Sequence, residues 1–162
     1  MAEIAPYGET PLSVMHKIAR KAGITAKDVV FELGCGRGRT CFWLASWIGC
    51  KTVGIEFVPT FIQKAAKVRA MFKTPNVEFR QEDMFTTSLA GASVIYLYGT
   101  CLTDEEVLKL IERCKELPAG TKIITISYSL LEYTDLPQFE LIKTVDVSFA
   151  WGSTQAYIQI IN

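Results

Sequence analysis

A glycine-rich segment, Glu32-Leu33-Gly34-Cys35-Gly36-Arg37-Gly38, follows an apolar run and precedes a helical pattern. Glycine lets the backbone turn tightly and approach a ligand where any Cβ would collide. A lone GxGxG pattern is weak evidence for a nucleotide site, but a strand before it and a helix after it are the context that such a site requires. We therefore expect four of these residues to contact a ligand: Gly34, Cys35, Gly36 and Gly38.

Acidic residues stand at the ends of three successive predicted strands: Glu32, Glu56 and Asp83. The carboxyl ends of parallel strands meet at one edge of a sheet, so these acids would line one crevice. The Glu56 carboxylate suits a ribose diol, and Asp83 can accept from an exocyclic amine of adenine. Each acid alone is equally compatible with an ordinary solvated strand end or turn. Phe57 and Met84, which directly follow two of the acids, complete the expected binding residues.

The glycine pattern distinguishes between two ligands that contain adenosine, a dinucleotide and S-adenosylmethionine. A dinucleotide site has a third small residue in GxGxxG, whereas here GCGRG is followed by Arg39. Glu32, before the first glycine, would repel a pyrophosphate but can help to hold an amino group. No phosphate-binding P-loop pattern occurs. We therefore interpret the segment as a site for the methyl donor S-adenosylmethionine.

Alternating strands and helices must position these residues. Strands are predicted over Lys27–Leu33, Lys51–Glu56, Val77–Gln81, Ser93–Tyr98, Thr121–Ser127, Phe139–Phe149 and Thr154–Ile161. Helices are predicted from Thr10-Pro11 (with Thr10 as N-cap) to Gly23, over Arg39–Ile48 and Pro59–Phe72, and from the Thr103 cap to about Leu117. This order predicts a single domain over residues 1–162, with a Rossmann-like, mostly parallel seven-stranded sheet that has one antiparallel edge strand, helices on both faces and no cap domain.

Two predicted connections are short for this fold, namely Glu82–Ala92 and Tyr128–Gln138. Neither clearly contains a full helix, so one sheet face is expected to be thinly covered. That face is the predicted location of a homodimer contact.

Composition argues against several classes of protein. Lys+Arg and Asp+Glu number 17 each, so no net field favours nucleic acid or a membrane, and neither is an expected partner. The five cysteines form no CxxC pair, which argues against a disulfide framework and a zinc site, and no metal is expected. The N-terminus does not resemble a signal peptide. We expect a cytoplasmic protein.

The segments VVFELGCGRGRT, VGIE, VEFRQEDMF and SVIYLY resemble the successive motifs of seven-β-strand, class I methyltransferases. YGETP, directly before a helix, resembles the YVPTP segment of small archaeal lysine methyltransferases of broad specificity and of mitochondrial lysine methyltransferases that act on ATP synthase. Histone H3 lysine methyltransferases without a SET domain have a similar core. The resemblance therefore implies a protein lysine methyltransferase.

The same resemblance implies roles for particular residues. Tyr7 and Thr10 would fold over the methionine end of the cofactor, and the family's binding roles would fall to Glu32, Gly34, Gly36, Glu56 and Asp83. Two positions depart from the pattern. Gly8-Glu9 replaces Val-Pro, and Arg37 stands where an acid is common.

Three aromatic residues are candidates for a substrate channel. Tyr98 ends the fourth strand, where this fold usually places residues that face the substrate, and Tyr128 and Trp151 could complete the channel. Ordinary aromatic packing in the core or at the sheet edge would also explain each of them, and it explains Tyr128 and Trp151 better than Tyr98. Three functions stay open at this point: a methyltransferase acting on accessible protein lysines, a small-molecule methyltransferase, and a non-catalytic cofactor-binding subunit.

Overall fold

A computed structural model describes residues 9–162, whose seven strands form one sheet in the order β3-β2-β1-β4-β5-β7-β6. The strands are β1 (Val29–Leu33), β2 (Lys51–Glu56), β3 (Val77–Gln81), β4 (Val94–Leu97), β5 (Lys122–Ile126), β6 (Phe139–Phe149) and β7 (Gly152–Ile161). The helices are α1 (Leu12–Ala22), α2 (Arg39–Trp43), α3 (Pro59–Phe72) and α4 (Asp104–Cys114). Helix α2 continues as a π-helical turn over Leu44–Ile48, and a 3₁₀ turn spans Leu130–Glu132.

The sheet is parallel from β3 to β5, and β7 is the antiparallel strand, paired with both β5 and the outermost strand β6. Parallel strands require crossover connections, which α2, α3 and α4 provide here. The predicted Rossmann-like, mostly parallel seven-stranded sheet is therefore confirmed. Among residues 9–162, no helix is both long and apolar enough to cross a membrane.

Alternate residues along each strand face opposite layers of the core. On one face, Met15 and Ile18 of α1 pack with Val30 of β1. On the other face, Leu110 of α4 packs with Phe31 of β1. The sheet thus places its carboxyl edge, where β1, β2 and β4 end, between two packed layers.

The start of α1 differs from the prediction. The helix begins at Leu12 with Pro11 in the flanking position, and no side chain caps it. Thr10 is therefore not the N-cap, because its hydroxyl instead lies 2.6 Å from the hydroxyl of Tyr96 in β4. The predicted end is correct, since Gly23 adopts the left-handed conformation at φ 70°.

The two short connections contain no α-helix, as predicted, but their own apolar side chains cover the sheet. Leu89 and Leu130, one from each connection, are buried in the same core layer as α4. The homodimer through this face stays a prediction.

Candidate active site

A cleft opens where β1 and β4 end. Its lining residues come from the segment before α1, the glycine-rich loop after β1, the first turn of α2 and the end of β4; they are Glu9, Thr10, Glu32, Gly34, Cys35, Arg39, Thr40 and Tyr98. Five of the predicted site residues therefore share one cavity: Thr10, Glu32, Gly34, Cys35 and Tyr98. Tyr7, also predicted there, lies outside the described residues.

Glycines shape the loop because its backbone turns through the left-handed region. Gly34, Gly36 and Gly38 have φ of 77°, 57° and 78°. The amide of Gly34 donates to the carbonyl of Ile55 at 2.8 Å, which holds the loop against the end of β2. A Cβ on Gly34, which lines the cleft, would lie 3.2 Å from Cε of Met84, so that side chain would have to shift slightly.

Two glycines also make room for side chains of the protein itself. A Cβ on Gly38 would collide with the Phe79 ring, and one on Gly54 would lie 2.8 Å from both that ring and the thiol of Cys35. Gly38 therefore allows the left-handed turn and also leaves room for the Phe79 ring. Sequence reasoning missed Gly54, although a glycine inside a strand is a signal for close approach.

The Glu56 carboxylate, at the end of β2, connects the glycine-rich loop to the residue that precedes α3. One carboxylate oxygen accepts from the amide of Gly36 at 2.8 Å, and the other accepts from the amide of Val58 at 3.0 Å. A carboxylate has about four acceptor positions, so both oxygens keep capacity for a diol. The ring of Phe57, exposed to 71%, stands beside it and can pack against a planar base.

Asp83 stabilises the turn after β3. Its Oδ1 accepts from the amide of Phe85 at 2.8 Å, and its carbonyl accepts from the amide of Thr87, also at 2.8 Å. Arg113 of α4 donates to the carbonyl of Met84 at 2.9 Å and fixes the turn from outside. The predicted adenine-binding residues thus lie in a hydrogen-bonded turn, and Arg113 is a supporting residue that the sequence did not reveal.

Glu32 is buried at the base of the cleft. Its carboxylate accepts from the Thr40 hydroxyl and, at 3.1 Å, from the thiol of Cys41. Burial disfavours the charged form and raises the pKa of Glu32 to about 7, although these two hydrogen bonds act in the opposite direction. Below pH 7 this buried acid is therefore mostly neutral, and a cation close to it would favour its charged form.

Three aromatic side chains form an aromatic wall beside the cleft: Tyr98, which lines the cleft, and Phe149 and Trp151, which contact Tyr98. The indole N–H of Trp151 donates to the Tyr98 hydroxyl at 2.6 Å. The Phe149 ring stacks on Trp151, with centroids 5.5 Å apart, and lies 5.3 Å from the Tyr98 ring. This aromatic wall unites two predicted residues with Phe149, which sequence reasoning missed.

Tyr128 does not join the aromatic wall. Its hydroxyl donates to the carbonyl of Gly99 at 3.3 Å, and its ring packs edge-on against Tyr133 in the α4 layer. Tyr128 therefore supports the turn after Tyr98 from the opposite face of the sheet.

The side chains fit S-adenosylmethionine by their chemistry. Glu56 offers acceptors for the ribose, the turn at Asp83 and Met84 offers polar and apolar contacts for adenine, and Glu32 suits an ammonium. Gly34 lines the cleft without a side chain, and a Cβ at this position would lie 3.2 Å from Cε of Met84 in the predicted adenine-binding turn. Among residues 9–162, no group of three or more His, Cys, Asp or Glu side chains could hold a metal ion.

Comparison with known proteins gives two relatives that act on lysine. A protein-lysine N-methyltransferase of Saccharolobus islandicus is 26% identical over 127 residues, which cover 77% of this chain and 78% of that protein. The H3 lysine-79 specific histone methyltransferase of Dictyostelium discoideum is 24% identical over 135 residues, or 74% of this chain. This chain spans only 7% of the length of the histone methyltransferase.

A solved structure and a family model extend these matches. The RNA methyltransferase of Salinibacter ruber, in complex with S-adenosyl-L-homocysteine, is 29% identical with a TM-score of 0.78, and the match covers 94% of this chain and 93% of that one. The model of the ANTKMT methyltransferase domain matches residues 32–135, more than half of the 162 residues and the stretch that contains Glu32, Glu56 and Asp83. The chain therefore belongs to the family of the ANTKMT methyltransferase domain, and its cofactor is S-adenosylmethionine.

Proposed function

We propose that this methyltransferase modifies lysine side chains of proteins. The observation that carries the proposal is the aromatic wall, since Tyr98 lines the cleft and Trp151 donates a hydrogen bond to its hydroxyl. An aromatic surface beside the donor site suits a long alkyl chain that ends in an amine.

The reaction requires a neutral amine. S-adenosylmethionine supplies, when bound, a methyl group that its sulfonium already makes electrophilic. The task left to the chain is to favour the neutral form of an amine whose reference pKa is about 10.4, with its proton released to solvent, and to align the nitrogen lone pair with the methyl group. Partial burial against the exposed ring of Trp151 would favour the neutral amine, because desolvation disfavours the charged form.

Tyr98 is the residue that would orient the amine. Because its oxygen already accepts from Trp151, the hydroxyl is held in one position. Its remaining acceptor capacity can receive an N–H of the lysine amine, which directs the lone pair towards the cleft. Trp151 is then a positioning residue that acts through Tyr98.

The lysine methyltransferase relative of Saccharolobus islandicus supports this proposal, because it matches over most of both chains. The similarity to the RNA methyltransferase of Salinibacter ruber makes RNA the alternative substrate to test. Tyr98-Gly99-Thr100-Cys101 stands where amide and adenine N-methyltransferases have an NPPY-type tetrapeptide, which disfavours a planar base nitrogen as the acceptor.

The test is to incubate the enzyme with methyl-labelled donor and, separately, total cell protein, total RNA and a small-molecule extract. We expect label in protein, recovered as methyllysine after acid hydrolysis and mass spectrometry. Tyr98→Phe and Trp151→Phe should lower this label, whereas the matched control Tyr157→Phe, whose hydroxyl donates to Gln155 on β7, should not. Label confined to RNA or to small molecules would overturn the lysine proposal.

A further inference from the structure

The helices on one face of the sheet contain basic residues and no acid. These helices are α1, α2 with its π-helical turn, and α3, and no Asp or Glu occurs in Leu12–Ala22, Arg39–Ile48 or Pro59–Phe72. Six of their basic residues are exposed: Arg20, Lys21, Arg39, Lys64, Lys67 and Arg69. On the opposite face, α4 contains the acids Asp104, Glu105, Glu106 and Glu112. Net charge averages over these two faces, so the balance of the whole chain does not exclude an anionic partner for one of them.

The three helices lie side by side in one layer. Ile18 of α1 packs in the same core cluster as Leu44 of the π-helical turn. Helices α2 and α3 are consecutive right-handed crossovers that step in the same direction, from β1 to β2 and from β2 to β3, so they cover the same face. Trp47 and Phe72 come shortly before the first residues of β2 and β3. Both therefore lie towards the amino edge of the sheet, away from the cleft.

Helix stability does not account for this composition. The macrodipole favours acids in the first turn of a helix, and α4 has three there. The first turns of α1, α2 and α3 have none. Arg39 lies 3.6 Å from a carboxylate oxygen of Glu9, so the positive charge comes mainly from α1 and α3. We call the exposed side of α1, α2, the π-helical turn and α3 the basic face.

Large apolar side chains protrude from the basic face. Trp47 is 72% exposed, Phe72 71% and Met71 65%, and Val68 is also exposed. Lys64 precedes Val68 by one helical turn, and Lys67 precedes Met71 by one turn, so ammonium groups and apolar side chains are neighbours on α3. Exposed apolar groups of this size mark an interaction surface.

We propose that the basic face docks on the surface of an anionic phospholipid bilayer. Lys and Arg beside large apolar side chains are typical of helices that lie in a membrane interface, where the charges meet anionic headgroups and the apolar groups enter the acyl boundary. Nucleic acid would match the charge and could stack on Trp47 and Phe72, but it offers no apolar phase for Val68 and Met71. Because Trp47 and Phe72 lie away from the cleft, docking through them leaves the cleft open.

Sedimentation with vesicles tests the charge of the basic face. The full chain is mixed with vesicles of equal parts phosphatidylcholine and phosphatidylserine, or of phosphatidylcholine alone. We expect binding only to the anionic vesicles and release at high salt. Lys64→Gln combined with Lys67→Gln should weaken binding about tenfold. The matched control, Lys109→Gln combined with Lys115→Gln at α4, removes the same charge from the opposite face and should stay within about twofold of the wild type.

A second pair of variants tests the apolar side chains. Phe72→Ser should weaken vesicle binding about tenfold, whereas Leu108→Ser, at an exposed position of α4, should not. Tryptophan emission should move to shorter wavelength when anionic vesicles are added. This shift should be lost in Trp47→Phe and kept in Trp151→Phe. Thermal melts check that each variant is folded.

Three results would overturn the proposal. The first is no sedimentation with the anionic vesicles, and the second is an equal loss of binding in the α4 controls. The third is binding of total RNA that is lost in the Lys64→Gln and Lys67→Gln variant, without any binding to vesicles, which would assign the basic face to nucleic acid. The vesicles contain neither donor nor acceptor, so the outcome is independent of whether the enzyme modifies lysine.

Discussion

Replacing Glu32 with glutamine should remove a contribution to the pH dependence of stability that burial of this carboxyl predicts. Glu32 is 6% exposed at the base of the cleft, and burial raises its pKa from 4.5 to about 7. Because the pKa differs between the folded and the unfolded chain, protonation of this one group is coupled to folding.

The sign and size of the effect follow from that shift. Between pH 4.5 and about 7 the folded protein keeps a proton that the unfolded chain has released. The free energy of unfolding therefore falls as pH rises through this window and becomes constant with respect to Glu32 above it. Each pKa unit corresponds to 1.36 kcal/mol, so the difference between about 7 and 4.5 amounts to roughly 3 kcal/mol over the full window.

Urea unfolding at pH 5 and pH 8, followed by tryptophan fluorescence, measures this contribution. From pH 5 to pH 8, we expect the free energy of unfolding of the wild type to fall by roughly 2 to 3 kcal/mol more than that of Glu32→Gln. Glu105→Gln, at a position whose side chain is 83% exposed, should keep the wild-type pH profile. Parallel pH profiles for the wild type and Glu32→Gln would refute the assignment of a neutral, buried acid.

Three further expectations concern the donor site and the channel. Glu56→Ala and Gly34→Asp should each abolish measurable binding of S-adenosylmethionine in calorimetry without unfolding the protein, and near wild-type affinity in either would remove the site from the strand ends. Tyr98→Phe should lower turnover more than donor affinity, and an equal loss of both would place Tyr98 in the donor pocket. Deletion of Met1–Glu9 should weaken donor binding by about tenfold and reduce transfer further, whereas full activity in the deleted chain would show that the segment has no role.

The parts of the fold that the sequence predicted depend on local patterns. The first and last residues of β2, α3, β3 and β6 are the ones predicted from the apolar periodicity and the flanking glycine or proline. The Thr103 capping box, which begins α4, uses contacts within four residues. The crevice could also be predicted, because the carboxyl ends of parallel strands lie at one edge of a sheet, whatever segment connects them. Glu32 and Glu56 stand at two such ends.

The parts that could not be predicted depend on contacts between distant segments. Thr10 has the residue type of an N-cap, but its hydroxyl pairs with Tyr96, which is 86 residues away. Phe149 joins the aromatic wall only because β7 returns the chain beside β5. The raised pKa of Glu32 needs three-dimensional burial, since an isolated strand-end acid would keep its ordinary value.

The acids of the cleft should also discriminate between the donor and its product. Thr40 and Cys41 only partly offset the cost of burying Glu32, whose pKa the neighbouring Glu56 raises further, so a positively charged ligand is favoured there. S-adenosylmethionine carries a sulfonium that S-adenosylhomocysteine lacks, and a carboxylate attracts it in a medium less polar than water. Glu32→Gln should therefore reduce affinity for the donor more than affinity for the product, which calorimetry with both ligands at pH 8 measures directly. If both affinities fell by the same factor, Glu32 would act on the ammonium that the two ligands share, and release of the product would depend on other contacts.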